Sequence, residues 1–269
     1  MSKKKNIFLI GILLIFVVIV FIQAIKLWQN RRLFIAIEEQ NKEDVLKAIN
    51  LGADVNSSKY LFALKELVWH NPTPLILACK EGNQEIIEIL IENGADVNKC
   101  DDWAKQAPLE YSLASESKNR FEIAMYLIEN GANYKSYSGT YSPIERAVII
   151  FDSDDEGTIM QGFELFEFLI QNVDEIETAY GIHTLLTFAS GNNNKMAVEY
   201  LIKNQYSKVD EKNENGMTGL MVAAKNNARD ACQKLLELGA DITIEDSEGK
   251  TAYDYAIENG SEDIASLLK

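Results

Sequence analysis

The longest apolar stretch of the chain lies near its start, directly after a short basic tail. It runs from Ile7 to Ile25, nineteen residues without a charge. At about 1.5 Å per residue, a helix of this length spans roughly 28 Å, close to the ~30 Å hydrocarbon core of a bilayer. Because the stretch lacks the polar face that soluble helices of this length show, the pattern predicts one transmembrane helix.

This stretch divides the chain into a basic tail (1–6), a transmembrane helix (7–25), a linker (26–30) and a domain over 31–269. An uncleaved anchor is favoured over a signal peptide, because the nearest cleavage candidate, 22–24, places a bulky Ile where a small residue belongs. The short basic tail favours a single-pass membrane protein whose domain lies on the non-cytoplasmic side. The alternative is a secreted or periplasmic domain, released by signal-peptide cleavage.

The remaining 240 or so residues repeat one pattern, in which two short apolar segments of helical spacing are followed by a turn. In the clearest copy, Thr73 and Pro74 begin the first segment, and Gly94 ends the second. The small residue near the middle of the first segment recurs at steps of 42, 34, 35, 42, 34 and 33. These small residues are Ala36, Ala78, Ser112, Ala147, Ala189, Ala223 and Ala256.

Each copy predicts a pair of helices. The Thr73 hydroxyl can cap the first helix, Pro74 suits the first helical position, and Gly94 supplies a left-handed residue that ends the second helix. One pair cannot bury its apolar face alone, whereas stacked neighbours can. The sequence thus predicts seven repeats, approximately at 31–56, 72–98, 106–134, 141–174, 182–210, 215–243 and 248–269.

The period and the Thr-Pro-Leu opening of 73–75 resemble the ankyrin repeat. The resemblance implies an all-α fold, an ankyrin-repeat α-solenoid of stacked helix pairs with turn tips, behind the one N-terminal transmembrane helix. It also implies that the chain binds a protein through the concave face of the first helices and the turn tips. Repeats four and five depart from the pattern, because Val173 and Gln205 stand where the terminating Gly belongs.

The distribution of charge narrows the choice of partner. Lys plus Arg number 26 and Asp plus Glu 41, a net charge of −15. Four cations and no acids lie in the first 28 residues, so the rest holds 22 cations against 41 acids, a net of −19. Such an acidic body repels phosphate backbones, so it disfavours nucleic acid and predicts an unidentified protein partner with a basic surface.

The sequence predicts no catalytic, cofactor or metal site, and hence no enzyme. The chain has two histidines, His70 and His183, and lacks a nucleophile elbow and a Gly-rich phosphate loop. The acidic run 152–157 begins like a calcium loop, but Phe163 stands where the bidentate Glu is needed.

Aromatic residues on the predicted turn tips are the candidate partner contacts, since exposed aromatics are typical binding anchors. Shielding of the loop base is an equally good interpretation of them. Two acids at the position that the family fills with His complete the candidate set. The six residues are Trp103, Tyr134, Tyr137, Tyr141, Glu110 and Glu145.

These features together favour a membrane-anchored protein–protein interaction module. The alternative within binding proteins is an immunity or inhibitor protein that sequesters a specific toxin or enzyme. An enzyme with an unrecognised site is the rival from another class.

Overall fold

The computed structural model describes residues 2–58, 71–102, 104–135, 141–149, 156–172 and 184–269. Within these ranges the chain forms helices and no strand, and an isolated antiparallel bridge joins Lys212 and Thr218. The all-α prediction is therefore confirmed for the described part of the chain. The helices are α1 (Ser2–Glu38), α2 (Lys42–Asn50), α3 (Pro74–Glu81), α4 (Gln84–Glu92), α5 (Pro108–Ala114), α6 (Arg120–Glu129), α7 (Pro143–Val148), α8 (Glu156–Asn172), α9 (Leu185–Gly191), α10 (Lys195–Lys203), α11 (Gly219–Lys225), α12 (Arg229–Glu237), α13 (Ala252–Glu258) and α14 (Glu262–Leu267).

The chain divides into two compact units. The first unit comprises 1–123 and 129–132, and the second comprises 124–128 and 133–269. In the first unit, the first helices of successive repeats, α1, α3 and α5, pack side by side, and α2 packs against α4. Leu33, Ile37, Leu75, Ile86 and Leu90 are at most 1% exposed and form the centre of this core.

The second unit repeats this arrangement. Helices α7, α9, α11 and α13 form one row, and α8, α10, α12 and α14 form the other. Large side chains from both rows meet between them, among them Phe166, Leu186, Leu201, Leu235 and Ile264, all at most 1% exposed. Because each helix in these rows packs against neighbouring helices, stacking buries the apolar faces, as the repeat pattern predicts.

The predicted caps form at the start of the first helices. The Thr73 hydroxyl accepts a hydrogen bond from the amide of Ile76 at 3.2 Å, and Pro74 occupies the first turn of α3. Thr184, Thr218 and Thr251 accept the equivalent bond in later repeats, and Ser142 does so in the fourth. The side chain of the residue before each helix therefore fixes where these helices begin.

The second helices end in a left-handed residue. Gly52, Gly94, Gly131 and Gly239 have φ between +86° and +95°. Gln205, in the degenerate fifth repeat, takes φ +62° at the equivalent place without being a glycine. The repeat thus keeps its geometry there at the cost of backbone strain.

Helix α1 is longer than the predicted transmembrane segment. It runs for 37 residues, and the expected linker 26–30 is helical, because no Gly or Pro follows Gly11 until Gly52. Its most apolar 18-residue window has a mean hydropathy of 2.5 and none of that window is buried. This is one N-terminal apolar helix that is long and apolar enough to cross a membrane, and a signal sequence has the same properties.

Candidate functional site

Loops between the helix pairs form a row on the surface of each unit, joined by side-chain hydrogen bonds. In the first unit, Asn56 accepts from the amide of Asp96 at 2.7 Å and donates to the carbonyl of Gly94 at 2.9 Å. The Lys99 ammonium donates back to the carbonyl of Asn56 at 2.6 Å, and Asn98 donates to the carbonyl of Gly131 at 3.0 Å. These bonds hold successive loops at a fixed spacing.

The second unit has an equivalent row. Asp210 accepts from the amide of Asp241 at 3.0 Å, as Asn56 does in the first unit. The Lys212 ammonium donates to the carbonyl of Glu245 at 3.0 Å, and the Ser247 hydroxyl donates to the carbonyl of Asn215 at 2.8 Å. Side-chain hydrogen bonds therefore connect successive loops in this unit as well.

A buried aspartate organises the loop between α4 and α5. Asp101 is 1% exposed, and its carboxylate accepts from the amides of Ala104 at 2.6 Å and Gln106 at 3.0 Å. The Tyr111 hydroxyl of α5 donates to the same carboxylate at 3.3 Å. Partial burial, followed by the neighbouring Asp101 charge, raises the pKa of Tyr111 to about 12.

The last turn of the second unit uses the same device. Asp246 accepts from the amides of Glu248 at 2.8 Å and Lys250 at 3.0 Å, and from the Tyr255 hydroxyl at 2.5 Å. Partial burial opposes ionisation of Asp246, but these hydrogen bonds outweigh it and lower its pKa. Burial, then the bond to Asp246, raises the pKa of Tyr255. The phenol therefore stays protonated and the carboxylate ionised at neutral pH.

Tyr141 lies two residues before α7, in a half-buried group of aromatic and cationic side chains. It is half-buried, and its ring centroid lies 5.7 Å from that of Phe188 on α9. The Arg146 guanidinium lies 5.2 Å from the Tyr141 ring centroid. Both neighbours are themselves half-buried, so the three side chains present one partly accessible surface, which we call the Tyr141 patch.

Tyr134 has a different setting within the second unit. It is half-buried, and its ring meets Phe168 of α8 edge-on at 5.8 Å. This contact favours the shielding interpretation for Tyr134, because the ring covers part of α8. Trp103 and Tyr137 lie outside the described residues, as do residues 152–155 of the acidic run and the two histidines.

The two candidate acids cap their own helices. Glu145 is 2% exposed, and its carboxylate accepts from the amide of Ser142 at 2.8 Å and from the Ser142 hydroxyl at 2.9 Å. Glu110 is half-buried and accepts from the amide of Ala107 at 3.4 Å. This is the capping-box geometry, in which the third residue of a helix reaches back to its N-cap. Buried and used in this way, Glu145 is shielded from direct contact with a partner.

Sequence reasoning missed several residues that shape these surfaces. Asp101 and Asp246 set the turns, and Phe188 and Arg146 complete the Tyr141 patch. An Asp in the loop is followed by a Tyr in the next helix, ten residues later for Asp101 and Tyr111 and nine residues later for Asp246 and Tyr255. This spacing was the sequence signal for the two turns. The spacing of Ser142 and Glu145, S-x-x-E, was the signal for the cap.

Comparison with known proteins agrees with this geometry. A family model described as "Ankyrin repeats (3 copies)" matches residues 33–138, 158–246 and 207–269. The chain belongs to the ankyrin-repeat family. Ankyrin repeats generally mediate protein–protein interaction and are typically non-catalytic scaffolds, and no enzyme family is positively indicated.

Ankyrin-repeat relatives occur in viruses and bacteria. An ankyrin repeat protein of fowlpox virus (strain NVSL) is 24% identical over 82% of this chain and 62% of its own length. Escherichia coli K12 YahD is 26% identical over 73% of this chain and 94% of its own. This chain therefore spans less than two thirds of the fowlpox relative. The crystal structure of the human ASB11 ankyrin repeat domain matches with a TM-score of 0.63 at 24% identity, covering 88% of this chain and 97% of that one.

Proposed function

We propose that this ankyrin-repeat protein is a membrane-anchored module that binds a protein partner through its loop rows and first helices. The observation that supports binding is the pre-set geometry of the loops. Asp101 and Asp246 fix the turns from within, while residues such as Cys100 and Asp102 stay exposed. A surface already ordered before binding loses little conformational entropy on association, which favours affinity.

The Tyr141 patch is the part of the candidate surface that the geometry supports best. The Tyr141 ring packs against Phe188 at a tilted angle and lies near the Arg146 guanidinium, so it is restrained, and a restrained aromatic is a favourable binding anchor. Trp103 and Tyr137 are proposed as further contacts, together with Glu110, whereas Tyr134 shields α8 through its contact with Phe168. Glu145 acts instead through the cap that begins α7.

The net charge of −19 outside the first 28 residues favours a partner with a basic surface. Charge complementarity of this kind raises the association rate more than the final affinity. Binding should therefore slow as salt is added, through the association rate constant.

Anchoring by α1 is proposed from its length, its apolar composition and the exposure of its side chains. The basic tail favours a repeat domain on the non-cytoplasmic side. Full-length protein should remain with membranes after a carbonate wash, and protease added outside intact cells should cut the repeats. A soluble product that begins near Ile25 would show a cleaved signal sequence, and full protection from protease would reverse the sidedness.

Site-specific photo-cross-linking tests the binding surface directly. A photoreactive residue in place of Tyr141, in the full chain in membranes of its source cell, should form one saturable cross-linked product. Gln233 on α12 is exposed and lies in the row of second helices, so it is the matched control position. Equal cross-linking from both positions would contradict the proposal.

A further inference from the structure

The end of the apolar segment carries exposed aromatic and basic residues where α1 enters the first repeat. Trp28 is 55% exposed and Arg31 is exposed, and the Arg32 guanidinium lies 5.0 Å from the centre of the Trp28 ring. One residue further on, Leu33 is completely buried in the first repeat. The transition from exposed apolar helix to repeat core therefore takes place within a few residues.

Helix geometry places these residues on one face. Positions 28, 31, 32 and 35 follow the spacing of three and four residues that aligns side chains along a helix. Ile35 is 39% exposed, whereas Leu33 and Ile37, on the other face, are completely buried. The face with Trp28, Arg31 and Arg32 thus points away from the repeats.

Hydrogen bonds fix the first repeat to this part of α1. Asn30 accepts from the amide of Asp54 at 2.8 Å, and the side-chain amide of Gln29 donates to the carbonyl of Leu51. Asn30 plays the part that Asn56 plays for the next loop, where Asn56 accepts from the amide of Asp96. The loop after α2 is therefore held level with residues 29 and 30 of α1.

We propose that Trp28, Arg31 and Arg32 bind the phosphate-bearing headgroups of the bilayer and hold the loop row of the first unit at the membrane surface. This proposal rests on the proposed anchoring by α1. Indole rings concentrate at the level of the headgroups, and guanidinium groups match phosphate oxygens in charge and geometry. The observation that carries it is the unbroken helix, since a flexible linker would let the first repeat leave the surface.

The acidic character of the loops indicates that α1, and not the loops, binds the lipid headgroups. Asp54 and Asp96 are exposed on the loop row and would be repelled by anionic headgroups. The three residues of α1 instead supply two positive charges at the point where the helix leaves the hydrocarbon. The loop row therefore lies close to the headgroups without binding them.

The depth of Trp28 in the bilayer tests the proposal. Trp69→Phe and Trp103→Phe in the full chain leave Trp28 as the single tryptophan, in vesicles of phosphatidylcholine and phosphatidylglycerol. Bromine atoms near the headgroups should quench its emission more than bromine atoms deep in the chains, placing it about 15 Å from the bilayer centre, half of the ~30 Å core. Quenching by aqueous iodide alone would overturn the proposal.

Flotation of the same vesicles distinguishes a failure of membrane anchoring from a failure of headgroup binding. Protein that does not float with the vesicles refutes the anchoring, and with it the headgroup site. Protein that floats while Trp28 is exposed to iodide refutes the headgroup site alone.

The two arginines provide the second variant. Arg31→Gln with Arg32→Gln should leave flotation unchanged, because the apolar segment is intact, while shifting Trp28 emission to longer wavelength. Unchanged emission would show that headgroup binding does not involve the guanidinium groups and would overturn their assignment.

A fluorescent label tests the position of the loop row. Cys100 is exposed on the loop after α4, whereas Cys79 and Cys232 are buried, so Cys100 can be labelled selectively. Glu81 is exposed at the C-terminal end of α3, away from the loop row. It provides the control position, as Glu81→Cys combined with Cys100→Ser. Energy transfer to headgroup-labelled lipid should be stronger from Cys100. Equal or reversed transfer would contradict the proposed placement.

Discussion

Gln205 is the residue at which the repeat pattern and the amino acid disagree most directly. It is exposed, and it adopts φ +62° where four other repeats use glycine. A left-handed conformation costs a residue with a side chain about 1–2 kcal/mol. Gln205→Gly removes this strain but makes the unfolded chain more flexible, which costs about 0.5–1 kcal/mol. The expected result is a net stabilisation of about 0.5–1 kcal/mol.

The reverse change provides the matched control. Gly94 has φ +86°, and a Cβ at this position would meet no atom within 4 Å. Gly94→Ala should therefore show the cost of the left-handed backbone conformation without a steric clash. The expected result is a destabilisation of about 0.5–1 kcal/mol. For a domain of about 240 residues, 1 kcal/mol corresponds to a shift in Tm of roughly 2–4 °C.

Thermal and urea unfolding of the full chain in detergent micelles measures both variants. Tm should rise for Gln205→Gly and fall for Gly94→Ala by similar amounts. Because unfolding of a solenoid can be local, hydrogen exchange should show the change concentrated around α10 in the first variant and α4 in the second. A Gln205→Gly protein that melts earlier than the parent would refute the strain argument.

Two further changes test the core and the turns. Leu90→Ala, at a completely buried site, should lower the unfolding free energy by about 2–5 kcal/mol, measured by urea titration, and a loss under 1 kcal/mol would contradict this packing. Tyr255→Phe should cost about 1–2 kcal/mol at pH 7, since it removes a hydrogen bond to an ionised carboxylate. The lowered pKa of Asp246 stabilises the fold above the unfolded pKa of about 4, and this stabilisation is lost as the pH falls through the folded value. Without the Tyr255 hydroxyl, acid unfolding should begin at higher pH, and an unchanged acid profile would contradict the assigned role.

The fold was largely predictable because its signals are local. A Thr before Pro74 and a Gly after the second helix specify where helices begin and end, and the period specifies stacking. Gln205 shows the limit of this reasoning, because neighbouring repeats impose a left-handed conformation on a residue that does not prefer it. Residues 26–30, expected to be a linker, are instead part of α1, where Gln29 and Asn30 form hydrogen bonds to the first repeat that the sequence alone does not reveal.

The candidate site was less predictable, because it depends on which side chains meet. Glu145 looked like a surface acid, yet its spacing from Ser142 makes it a buried cap. The Tyr141 patch joins residues on α7 and α9 that are more than forty positions apart in sequence. No local pattern marks such a pair, since only the stacking of two repeats brings them together.

The most direct test of the central claim is a titration of the cross-linked partner, once isolated, against the full chain in nanodiscs. Tyr141→Ala should raise Kd about thirtyfold, equivalent to roughly 2 kcal/mol for an aromatic anchor. Its Tm should change little, because the ring is only half-buried. Gln233→Ala, in the other row of helices, should bind as the parent does. Unchanged affinity for Tyr141→Ala, or an equal loss for Gln233→Ala, would contradict the assignment of this surface to partner binding.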